Sequence, residues 1–205
     1  MMSRDARYVA AAVQGIIAWE WLVSGTNKVL SGVFPQGLAS TLQDSIKNNP
    51  NGWYVSFLRG IIIPHSVAFG YAIEITEILI GVALLVGVVL LISPLRQRGA
   101  PQYRLAVAEM VAAVLASLAC AFLCINFHFF MGDGVVPGLN TAAPFDEGIS
   151  LDTLMPPLSL LILIVNMLVL GDMIGISFVQ RLGNAVTRVH QFLRREQAIA
   201  PTTAD

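Results

Sequence analysis

Charge is what this chain has least of. Only 12% of its 205 residues are charged against 56% apolar, and mean hydropathy is +0.71. A soluble domain carries about twice that charged share, so an ordinary water-soluble globule is excluded. The near balance of 12 basic and 13 acidic residues provides no basic stripe for a polyanion, and nucleic acid is not an expected partner.

Cysteine is also scarce. Cys120 and Cys124 cannot build a disulfide framework, and side chains four apart on one helix point roughly parallel. Their spacing is neither the CxxC of thiol oxidoreductases nor the CxxCH of covalent haem attachment. A dinucleotide fingerprint, a metal-ligand cluster of persuasive spacing, internal repeats and low-complexity tracts are missing as well. Any prosthetic group is therefore expected on a partner.

What the chain does have is four long apolar stretches, over residues 8–30, 67–92, 105–131 and 155–178. At about 1.5 Å per residue, each is long enough to cross roughly 30 Å of hydrocarbon. Residues 82–92 are apolar on every side and 158–170 are interrupted only by Ser159 and Asn166, which leaves no face for water. The expected fold class is all-α, a four-transmembrane-helix bundle making one membrane domain of residues 1–205. Glu20 interrupts the first stretch and no clear small-residue cleavage site follows it, so it reads as a retained helix and not a signal peptide.

The basic residues are unevenly placed. Arg4, Arg7, Arg96, Arg98, Arg104, Arg181, Arg188, Arg194 and Arg195 fall on one side of such a bundle, and Lys28, Lys47 and Arg59 on the other. The positive-inside rule then puts both termini in the cytoplasm. Within 34–60, Phe34, Leu38, Leu42 and Ile46 recur every fourth residue and Pro50-Asn51-Gly52 reads as a turn before Trp53, Tyr54 and Phe57, as in an amphipathic cover on the outer face. Within 178–197, Phe178, Leu182, Val186, Val189 and Leu193 form a stripe that predicts a cytoplasmic amphipathic C-terminal helix at the headgroups or docked on a partner. Residues 132–154 form a Gly-, Pro- and Asp-rich outer connection, of a length more often functional or docked than idle. Residues 198–205 are expected to be a disordered tail.

Carboxylates lie where lipid penalises them. Glu20 is central in the first stretch, and Glu74 and Glu77 lie in the outer half of the second. A carboxylate at mid-bilayer costs on the order of 3 kcal/mol, so it faces a bundle interior, a partner or a watery cavity. Glu20, Ser24 and Asn27 continue the stripe of Val13 and Ile17 as a polar face with Lys28 beside it, and Gly81 continues the face of Glu74 and Glu77. With His128 near the outer end of the third stretch, these groups can converge on one outward-facing pocket. Glu20, Glu74 and Glu77 are the candidate proton-handling catalytic groups, and Lys28, Ser24 and Asn27 the candidate substrate-binding ones. The same side chains also suit a plainer role, tying helices together by hydrogen bonds.

Ala112, Ala116, Cys120, Cys124 and His128 recur every four residues, a small-residue stripe suited to close helix packing. Metal or haem ligation by Cys124 with His128, or by His65 with His128, is the less favoured reading. Glu109 and Asp172 read as interfacial groups, Glu109 within reach of Arg104.

The stretch Glu20-Trp21-Leu22-Val23-Ser24-Gly25-Thr26-Asn27-Lys28, the cover beginning Phe34-Pro35, the run Glu74-Ile75-Thr76-Glu77-Ile78-Leu79-Ile80-Gly81 and the later Glu147-Gly148-Ile149-Ser150-Leu151-Asp152 resemble the DoxX and DoxD family of membrane proteins. The likeness spans about residues 8 to 178, with Gly25, Lys28, Glu77 and Gly81 at the matching positions. It implies four membrane helices in a bacterial or archaeal plasma membrane. It also implies a link to thiosulfate:quinone oxidoreductase, with quinone as the cofactor and further membrane subunits as partners. His128 and the cysteine stripe have no counterpart in that pattern. Three readings follow: a subunit of a quinone-linked oxidoreductase, a non-catalytic anchoring subunit of a larger membrane complex, and, less well supported because paired repeats are missing, a small-solute or proton carrier.

Overall fold

The computed structural model describes residues 3–47, 49–94, 98–99, 101–131 and 151–175, with the backbone alone for 151–153. The outer connection at 132–150, the motif beginning at Glu147, the helix expected at 178–197 and residues Arg96, Arg181, Arg188, His190, Arg194 and Arg195 lie outside the described residues.

Among the described residues six α-helices follow one another: α1 (Arg4–Ser31), α2 (Phe34–Ser45), α3 (Gly52–Phe57), α4 (Ser66–Ile92), α5 (Tyr103–Phe130) and α6 (Leu151–Ile174). The apolar stretches read from the sequence coincide with α1, α4, α5 and α6, and the helices begin earlier than apolarity alone marks. The first starts where Ser3 Oγ accepts the Ala6 N–H at 3.2 Å with Asp5 in the first turn, and ends at Gly32, whose φ of 66° closes the C-terminus. The last begins at Leu151 and carries Pro156 and Pro157 inside it, so the carbonyls four residues back lose their helical donors.

Three helical runs among the described residues are long and apolar enough to cross a membrane: Gly52–Ile92, Tyr103–Phe130 and Leu154–Ile174. The described residues are therefore those of an all-helical membrane protein, with exposed apolar side chains such as Leu79, Leu115, Phe122 and Ile164 suited to lipid. With 28 residues α1 has the length, but Arg4, Asp5, Arg7, Glu20 and Lys28 dilute its apolar character.

Segment 34–60 holds α2 and α3, and α3 runs on into the second span. Gly52–Ile92 is one helical run of 41 residues that passes through a π turn at Leu58–Ile62 and a 3-10 turn at Ile63–His65. Pro64 is the cause: it has no N–H for the carbonyl four residues back, and the chain compensates upstream, where Ile63 N–H reaches back to Leu58 O. The stripe of α2 is nonetheless buried. Leu38, Leu42 and Ile46 pack with Tyr54 and Leu58 in a cluster of their own. This layer also closes the end of α5: Asn49 Nδ2 donates to Phe129 O at 2.7 Å, Ser45 Oγ to Phe130 O at 2.5 Å and Tyr54 Oη to Asn126 O at 3.0 Å. Carbonyls left over at a helix C-terminus thus find donors from another part of the chain.

The long helices alternate in direction. Gly15 lies by Val88, Gly25 by Glu77 and Ile78, and Gly87 by Ala113, so α1 with α4 and α4 with α5 pair antiparallel. Asn166 bonded to Ser117, and Ser159 to Cys120, set α6 antiparallel to α5. Arg4, Arg7, Arg98 and Arg104 consequently gather at one end of the bundle, and Lys28, Lys47 and Arg59 at the other. α1 and α4 approach closely. A Cβ on Gly81 would fall 2.8 Å from Leu22 Cδ2 and 3.0 Å from the Ala18 carbonyl, and one on Gly25 would fall 3.0 Å from Glu77 Cβ, so only glycine permits this spacing.

Candidate functional site

The close approach at Gly25 sets the next charged residue of α1, one turn on, against α4. Lys28 Nζ stands 2.6 Å and 2.7 Å from the two oxygens of Glu77 and 2.7 Å from Ser24 Oγ. Glu77 is fully buried, while the Lys28 side chain keeps 21% of its exposure, its stem lying along the helix interface and its head near the bundle end. The ring of Phe34, first residue of α2, lies 5.3 Å from Nζ and roofs the pair. All three ammonium N–H bonds of Lys28 thus have acceptors inside the chain, and its charge is matched by one carboxylate.

Glu74 lies one turn away on the same face of α4. It is buried, at 5% exposure, and its Oε1 has no hydrogen-bond partner among the described residues. Gly70, one further turn along this face, is in tight contact with Pro35 of α2, so Glu74 sits between the resting place of α2 and the Lys28–Glu77 pair.

The other expected members lie elsewhere. Glu20 and Asn27 are exposed on α1, because the helix turns the neighbouring stripe of Gln14, Ala18, Trp21 and Gly25 inward. His128 is buried near the C-terminal end of α5, where its ring meets Phe129 edge-on with centroids 5.8 Å apart. Glu109 is half-buried and Asp172 exposed, both toward the end that carries Arg104.

A second set of buried polar groups escaped the sequence reading. Gln14 Nε2 donates to Leu84 O at 2.9 Å with the side chain fully buried, and Asn166 Nδ2 donates to Ser117 Oγ at 2.9 Å, which in turn donates to Ala113 O. Cys120 and Cys124 both bond Ser159 Oγ, at 3.1 Å and 3.4 Å, and Ser159 donates to Met155 O. The cysteine stripe is thus a packing face that also receives one hydroxyl, starting at Ala116 since Ala112 is exposed. The available signal for Gln14 was its position, one turn before Ala18 and two before Leu22, on the face that meets Gly81.

Among the described residues no group of three or more His, Cys, Asp or Glu side chains is placed to hold a metal ion. A groove of about 340 Å³ opens on the far faces of α5 and α6, walled by apolar side chains including Val114, Met167 and Ile174. It lies toward the opposite end from Lys28 and carries no group for chemistry.

No family model, no curated protein and no solved structure matches this chain.

Proposed function

We propose that the chain is an integral membrane subunit of a quinone-linked oxidoreductase, in which α1 is a fourth span and the Lys28–Glu77–Glu74 group is the working site. The observation that carries this reading is the buried pair of Lys28 and Glu77 with a second buried carboxyl, Glu74, one turn away under α2. Two carboxyls and one cation held out of lipid are more than adhesion between two helices requires, and grouped titratable side chains at a bundle end suit proton exchange with a bound redox ligand. The resemblance of residues 20–28 and 74–81 to the DoxX and DoxD family supports the same class, since Gly25 and Lys28 meet Glu77 and Gly81 meets Ala18 and Leu22. Basic residues gathered at the opposite end support an outward-facing site with a cytoplasmic N-terminus.

Glu77→Gln tests the proposal. It preserves shape and an acceptor for Lys28 while removing titration, so the subunit should assemble normally and quinone-dependent electron transfer by the complex should fall by about tenfold or more. Unchanged electron transfer in a normally assembled variant would leave the anchoring reading. That second reading is favoured by one observation, the complete use of the Lys28 donors inside the chain. Identification of chains and chromophores that co-purify in mild detergent separates the two.

A further inference from the structure

We infer that the groove on α5 and α6 holds one acyl chain of an anionic phospholipid, and that Arg98 binds the headgroup. This site is separate from the Lys28–Glu77 pair and stands whether or not that pair serves redox chemistry.

The groove has the polarity and the length of a lipid tail. Its volume is about 340 Å³, and Val114, Ile164, Met167, Leu168, Gly171 and Ile174 wall it without a polar side chain. Ile164, Met167 and Ile174 are exposed on a helix long and apolar enough to span a membrane, so the opening meets lipid and not water. From Ile164 to Ile174 the helix rises about 15 Å at 1.5 Å per residue, half of a hydrocarbon core of roughly 30 Å. One leaflet's acyl chain matches that span. A spanning helix of a second copy would need a groove about twice as long.

A cation stands where the headgroup of such a lipid would lie. Gly175 follows Ile174 directly and comes four residues after Gly171, and a Cβ on it would collide with the Arg98 guanidinium, 2.9 Å from Cζ and 3.2 Å from Nη1. The head of Arg98 therefore rests on the last turn of α6, at the end of the groove. Its Nε donates to Met173 O at 3.1 Å, and Tyr103 Oη donates to the same carbonyl at 2.5 Å, which pins the guanidinium there. This contact uses one of the five N–H donors of arginine. Arg98 is exposed, and the donors on Nη1 and Nη2 have no partner among the described residues. Asp172 and Glu109, the acids toward this end, form no ion pair with it among the described residues. A planar fork with both amino groups free fits two phosphate oxygens. A headgroup with no cation of its own gains the more from that unmatched charge, which selects an anionic lipid over a zwitterionic one.

The test gives the full chain in detergent phosphatidylglycerol or phosphatidylcholine of identical acyl chains and counts retained lipid by native mass spectrometry. At equal concentration phosphatidylglycerol should be retained about fivefold more, as for one basic side chain meeting an anionic headgroup. Arg98→Gln keeps an amide donor for Met173 O and removes the charge, so it should bring the two lipids level. Phosphatidylglycerol with a photoreactive diazirine in its acyl chain should label α6 between 164 and 174. Val114→Trp, which fills the groove and leaves Arg98 in place, should lower that labelling about fivefold or more. Glycerol 3-phosphate, the headgroup chemistry without the chain, should not displace the lipid. Equal retention of the two lipids, a preference that survives Arg98→Gln, labelling elsewhere on the chain, displacement by glycerol 3-phosphate, or a dimer that Val114→Trp dissociates each overturns the inference. Should a variant fail to fold, the retention ratio and the labelled residues of the wild-type chain decide.

Discussion

Lys28 on α1 and Glu77 on α4, 49 residues apart in sequence, form a two-pronged contact in which a single ammonium serves both carboxylate oxygens, at 2.7 Å and 2.6 Å. The pair is asymmetric. Glu77 has no exposure at all, while Lys28 retains a fifth of its own. Removing the cation therefore strands a buried anion, whereas neutralising the acid leaves an ammonium that still reaches Ser24 and the surface. Lys28→Met should destabilise the protein by about 3 kcal/mol, and Glu77→Gln by about 1 kcal/mol. The double change Lys28→Met with Glu77→Leu should recover most of the loss, because an apolar pair needs no desolvation. Thermal unfolding in detergent of the single and double variants measures all three, and equal losses for both single changes would contradict the asymmetry.

The end of α5 depends on side chains from the preceding layer. Tyr54→Phe removes the donor to Asn126 O while keeping the ring, which packs against Phe129 with centroids 5.8 Å apart. The expected cost is about 1 kcal/mol, and Asn49→Ala should add to it because its two acceptors, Phe129 O and Phe130 O, belong to the same frayed turn. Hydrogen exchange should speed at 126–130 and remain slow at 106–117. Uniform acceleration along α5 would show that the layer does not act as a cap.

Orientation is decided by labelling in whole cells. In a Cys120→Ala, Cys124→Ala background, Asp44→Cys on the exposed side of α2 should react with an impermeant thiol reagent, and Gln102→Cys at the start of α5 should react only after permeabilisation. The two positions lie at opposite ends of the bundle, so the reverse pattern would place the Lys28–Glu77 site on the cytoplasmic side.

That background should itself fold well. Cys120 and Cys124 fill small volumes against Ile17, Trp21 and Ile162, and alanine keeps a small apolar surface there. What is lost is two sulfur contacts to Ser159, whose hydroxyl still donates to Met155 O. Each replacement should cost within about 1 kcal/mol. Loss of a visible absorption band or of bound metal in either variant would reveal a cofactor on α5.

The existence of the long helices was legible because lipid asks for long apolar runs, and α4, α5 and α6 supply them with few polar residues. Lys28 and Glu77 were legible as members of one site because each interrupts such a run at a matching depth. Which face of α1 turns inward was not legible. The stripe of Glu20, Ser24 and Asn27 is more polar than that of Gln14, Ala18, Trp21 and Gly25, yet the second stripe faces α4. Steric fit decides it: Gly25 and Ala18 allow the backbone of α1 to meet Glu77 and Gly81, and the longer side chains of the first stripe do not. The π turn and 3-10 turn that join α3 to α4 around Pro64 were not legible, because no apolar periodicity encodes them. Side-chain caps such as Tyr54 on Asn126 join residues 72 apart, a relation that no local pattern carries.

Gln14 offers the sharpest test of how closely α1, α4 and α5 are fitted. Its amide nitrogen is bonded to Leu84 O, and a Cβ placed on Gly87 would collide with that nitrogen and lie 3.0 Å from Ala113 Cβ. Gly87→Ala therefore cannot be absorbed by one side chain moving, since Gln14 is fully buried and Ala113 has nothing to rotate. The change should cost about 1–3 kcal/mol from overpacking, even though alanine is the better helix former by about 1 kcal/mol. Gln14→Ala removes the obstacle together with a buried amide oxygen that has no partner among the described residues, at the cost of a cavity. In the Gln14→Ala background, Gly87→Ala should become neutral or stabilising, since its methyl enters the space vacated by the amide. Unfolding of the four proteins of this cycle in detergent measures the coupling. Additive effects within about 0.5 kcal/mol would show that α1 stands further from α4 at this level than the structure places it.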